Sequence, residues 1–93
     1  MPYIPQNQRD TFDNMIKIIS HDLLENDRGL QGKLNYIVSA VIANILKEQG
    51  TSYTLVNNLV GVLECAKLEL YRRVAAPYED TKMAESGDVY PKS

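Results

Sequence analysis

Apolar residues recur at helical spacing in three stretches of the chain. In the first, Phe12, Met15, Ile16, Ile19 and Leu23 are interspersed with Asp10, Asp13, Lys17 and Asp22. This predicts an amphipathic helix over residues 7–25, with two acids in the early turns where they suit the helix dipole. In the second, Leu34, Ile37, Val38, Val41, Ile42, Ile45 and Leu46 form the apolar face of a helix over 32–49. Ser39, Ala40 and Ala43 are small enough there for close helix–helix approach. Lys47 and Gly50 supply the usual C-terminal chemistry. The third stretch, 53–76, is the longest and has the widest apolar coverage, from Leu55 to Leu70.

Punctuation between these stretches agrees with the periodicity. Pro2 and Pro5 hold the start extended, since each lacks an N–H and restricts the residue before it. The run from Asn26 to Gly29 breaks the first helix. Thr51 and Ser52 offer an N-cap for the third. Gly61 lies inside that helix at a cost of roughly 1 kcal/mol relative to alanine, which suggests another backbone packed against it. Glu64 and Lys67 are spaced for an i,i+3 pair, and Glu69 and Arg73 for an i,i+4 pair. Pro77 is expected to end or kink the helix. Residues 77–93 then read as a polar tail, with at most one helical turn at 79–84.

The expected class is therefore all-α: a compact three-helix unit, one domain over residues 1–93, with an irregular C-terminal tail. The second and third helices carry more apolar surface than a three-helix monomer can cover. Large exposed apolar patches are uncommon on monomers, so a homo-oligomer is expected.

Charge narrows the partners. With 10 basic and 12 acidic residues the net charge is -2, which gives no footprint for DNA or an anionic membrane. No apolar run is long enough to span a bilayer. The start of the chain lacks signal-peptide character, and the expected location is cytoplasmic. The single cysteine, Cys65, excludes an intrachain disulfide and reads as a small core hydrophobe.

Candidate chemistry is sparse. His21 is the only histidine; no second histidine and no cysteine lies near it, and Asp22 is expected to point elsewhere on the helix. No nucleophile–base pair is recognisable, so no catalytic residue, metal ligand or cofactor site is expected, and the chain does not read as an enzyme. The segment from Gly87 to Tyr90 lacks the strand–loop–helix context of a phosphate loop. Arg72 and Arg73 close the third helix, where cations suit the dipole; that structural role is the stronger reading. Their guanidinium groups could also hold a phosphate, with Tyr71 and Tyr78 as stacking faces. Six tyrosines against one phenylalanine and no tryptophan favour a binding surface.

The run from Val62 to Lys82, with YRRVAAPYED at its centre, and the later GDVY resemble a family of short proteins. These are found mainly in phage genomes and sometimes in bacteria. Met1 to Ile4 and Leu34 to Tyr36 extend the likeness over nearly the whole chain. The resemblance reaches towards phage sponge proteins, which bind the cyclic nucleotide signals of antiviral (CBASS-type) immunity without cutting them. It implies immune evasion in an infected cell's cytoplasm, by a homo-oligomer that sequesters a cyclic di- or trinucleotide. The candidate ligand-binding residues are Arg72, Arg73, Tyr71, Tyr78, Lys67, Tyr3 and Lys82, and the tail could close over the ligand. The alternative is a non-enzymatic helical protein–protein interaction module.

Overall fold

The computed structural model describes residues 3–25 and 28–91. The extended start expected at Pro2 and the break expected at Asn26 and Asp27 lie outside the described residues. The protein is all-α as its periodicity predicts, with no strand among the described residues. It divides into two units, residues 1–48 and 49–93.

In the first unit Pro5 is extended, with φ -55° and ψ 151°. A 3-10 turn at Gln6–Gln8 then leads into helix α1, Asp10–Leu24. Asp10 and Asp13 occupy the first turn of α1, where their charge opposes the positive end of the dipole. Helix α2 spans Leu30–Gln49, starting two residues earlier than expected. The Lys33 N–H donates to the Gly29 carbonyl, which extends the helix backwards. Gly50 follows α2 at φ 81°, a left-handed turn that glycine adopts without a Cβ clash.

The second unit is built on one long helical rod. Helix α3 runs Tyr53–Leu70. Ser52 caps it: the backbone is extended and Oγ accepts the Leu55 N–H at 3.1 Å. A π-helical turn follows at Tyr71–Ala75, and helix α4 continues over Ala76–Ser86. Pro77 therefore does not end the helix, and the segment expected as an irregular tail from residue 77 is helical as far as Ser86. Proline has no N–H to donate, and its ring presses on the carbonyl four residues back. Opening the preceding turn to i→i+5 bonding, with the Ala76 N–H on the Tyr71 carbonyl, lets the chain restart with proline in the first turn of α4. The Thr81 hydroxyl donates to the Pro77 carbonyl at 3.2 Å. Gly87 then stops the rod at φ 88°, and its N–H reaches the Met83 carbonyl at 2.8 Å.

Among the described residues no hydrophobic side chain is buried. Cys65, expected in a core, is exposed. A Cβ added at Gly61 would meet nothing within 4 Å, so no backbone approaches it. Both expectations fail for one reason: Cys65 and Gly61 lie on α3, and within its unit no other helix folds back against it.

Candidate functional site

Six of the seven candidate ligand residues lie on the rod that runs from α3 through the π turn to α4. Lys67 pairs with Glu64 at 3.0 Å, the i,i+3 contact the spacing predicts. Glu69 pairs with Arg72 at 3.3 Å and not with Arg73 as expected. The pair forms at the very start of the π turn, where helical spacing departs from the regular α repeat that makes i,i+4 neighbours meet. Arg73 makes no ion pair among the described residues. Lys82 lies 5.5 Å from the centre of the Tyr78 ring and 3.4 Å from Glu85. A cation over an aromatic face at this range is attracted by the ring quadrupole. Tyr71 and Tyr78 both present exposed rings. The rod therefore carries guanidinium and ammonium donors and two flat faces, groups that can hold a phosphate and stack a base.

Tyr3 belongs to the first unit. It lines an open apolar groove of about 420 Å³ with Ile4, Arg9, Phe12 and Ile16. The Arg9 Nε donates to the Ile4 carbonyl at 3.1 Å, which folds the start of the chain against α1. A second open groove of about 400 Å³ lies between α1 and α2, lined by Ile19, Leu23, Tyr36 and Ile37 with Asp22 and Lys33 at its edge. Sequence reasoning did not find this groove. It depends on how α1 and α2 meet, and periodicity within one helix does not fix that.

Glu69 is marked in the sequence only as a partner for Arg73; its burial is not. It is the only buried residue among those described, 8% exposed, on a rod where Leu55, Leu59, Ala75 and Ala76 are half-buried and the other side chains exposed. A buried carboxylate requires a partner, and Arg72 supplies one. At the end of α1 the Nδ1 of His21 comes within 3.7 Å of the Asp22 carboxylate, so the two side chains do not diverge as expected. With Glu25 they could place three ligand atoms within 4.8 Å of one another. All three residues are exposed, and exposed acids commonly cluster without an ion.

No helix among the described residues is long and apolar enough to cross a membrane. Fold and site together define an all-α protein whose C-terminal rod carries exposed cations and tyrosines. The chain belongs to the family described as a domain of unknown function, DUF6899, whose family model matches residues 1–89. No curated protein and no solved structure matches it.

Proposed function

We propose that the chain is a non-enzymatic, self-assembling helical protein that sequesters a small cyclic nucleotide on the strip around its π turn. The observation that carries the assembly is the absence of any buried hydrophobic residue among those described. The exposed area is 8532 Å². A compact monomer of 10.5 kDa would expose about 5,400 Å². Even two separate compact units of half that mass would expose about 6,500 Å². The excess is about the area that an obligate interface covers.

The ligand class comes from the resemblance to phage sponge proteins, and the strip supplies matching chemistry. Arg72, Arg73, Lys67 and Lys82 are donors for phosphate oxygens, and Tyr71 and Tyr78 are faces for bases. Sequestration needs binding and no turnover, so it asks for no catalytic group. A second reading draws on the same uncovered apolar faces: a helical module that docks on another protein. Native mass spectrometry of the purified chain, with and without cyclic di- and trinucleotides, separates the two. An oligomer that gains one discrete nucleotide mass, released intact on denaturation, is the expected result. An oligomer that stays bare across the set favours the docking module.

A further inference from the structure

Three side chains of metal-ligating type meet at the C-terminal end of α1. His21, Asp22 and Glu25 can place one imidazole nitrogen and two carboxylate oxygens within 4.8 Å of one another. The backbone holds the set together. His21 and Glu25 are one turn apart, and the Glu25 N–H donates to the His21 carbonyl at 3.1 Å, so both side chains rise from one face. Asp22 already reaches across, with its carboxylate 3.7 Å from His21 Nδ1. Ligand atoms about 2.1 Å from a tetrahedral cation stand about 3.4 Å apart. All three residues are exposed, so the small side-chain rotations that reach this spacing meet little packing.

Two properties separate this group from a chance patch of exposed acids. The first is the donor set. One nitrogen with two oxygens suits zinc and its first-row neighbours. Calcium favours about six to eight oxygen ligands, and magnesium also takes oxygen. The second is the sign of the charge. A helix C-terminus carries the negative end of the dipole and favours cations. Helix α1 ends instead with Asp22 and Glu25, and no Lys or Arg lies in its last turn. Among the described residues neither acid pairs with Lys or Arg. The two carboxylates oppose each other and the helix end, and a bound cation relieves both repulsions.

We propose that His21, Asp22 and Glu25 bind a divalent first-row transition cation, with zinc as the type case. Three protein ligands leave at least one coordination position open to an outside ligand. Asp22 also lines the groove between α1 and α2, so a bound cation stands at the rim of that groove. The site depends neither on nucleotide binding nor on assembly.

The test is isothermal titration of the metal-free full chain with zinc chloride, with calcium chloride as the comparison, alongside thermal midpoints with and without zinc. One zinc per chain and a raised midpoint are expected, since a cation held only by the folded state stabilises it. Removing a ligand, in His21→Ala or in Glu25→Gln, is expected to weaken zinc binding at least about tenfold. Without metal, Glu25→Gln is expected to raise the midpoint, because it takes an acid away from the negative end of the dipole. One substitution then stabilises the metal-free chain and weakens its hold on zinc, a combination that a merely structural role for Glu25 does not produce. No zinc uptake overturns the proposal. So does calcium binding as tight as zinc binding, which would mark a plain acidic patch. A His21→Ala chain that binds zinc as tightly as the unsubstituted one also overturns it, and would place the cation elsewhere, with the Cys65 thiol the first alternative.

Discussion

The Ala76 N–H donates to the carbonyl of Tyr71, five residues back. That single bond joins α3 to α4 and carries the helix past Pro77. A proline inside a regular helix costs about 3 kcal/mol or more, and the wider turn relieves part of that cost. Pro77→Ala is therefore expected to raise the thermal midpoint and helical circular dichroism by an amount worth less than the full penalty, about 1 kcal/mol. A lower midpoint would mean that the proline itself holds the rod in shape.

Ser52 closes the N-terminus of the same rod through the Leu55 N–H at 3.1 Å. Removing an N-cap oxygen costs about 1 kcal/mol. Ser52→Ala should lower stability by that amount in denaturant titration, with Ser52→Asp close to the original. If alanine and aspartate behave alike, the cap is not holding the helix start.

Gly61 lies in α3 with open space where a Cβ would go. Gly61→Ala should stabilise the helix by roughly 1 kcal/mol, with assembly unchanged by light scattering. Loss of assembly would place a neighbouring copy's backbone against Gly61.

Cys65 is exposed. A thiol reagent should modify it fully and at the rate of a free thiol, both at micromolar concentration and in the assembled protein. Protection that appears only on assembly would show that the covered face includes Cys65.

Arg72 closes on Glu69 at 3.3 Å and sits among the tyrosines of the strip. In isothermal titration with a cyclic nucleotide that the chain retains, Arg72→Ala should weaken binding at least tenfold, about the contribution of a charge-assisted hydrogen bond. Binding unchanged in that variant would move the ligand site away from the π turn, and the Tyr3 groove would be next to test.

The three helices were legible in the sequence because a 3.6-residue period of apolar side chains is a local property. So were the Ser52 cap, the Gly50 stop and the Glu64–Lys67 pair, each of which depends on residues within one turn. Pro77 was legible as a disturbance, but its outcome was not: whether a chain stops, kinks or widens at proline depends on hydrogen bonds around the whole turn. The switch from Arg73 to Arg72 as the partner of Glu69 has the same origin, because the spacing rules assume a regular α-helix. The width of the apolar faces on the second and third helices made the surplus of apolar surface visible. The tertiary structure decided that the helix runs on through Tyr71–Ala75 to Ser86, with Leu70, Val74 and Tyr78 exposed along it. It likewise decided that Cys65 and Gly61 face open space, because burial is set by what packs against a helix and not by the helix's own sequence.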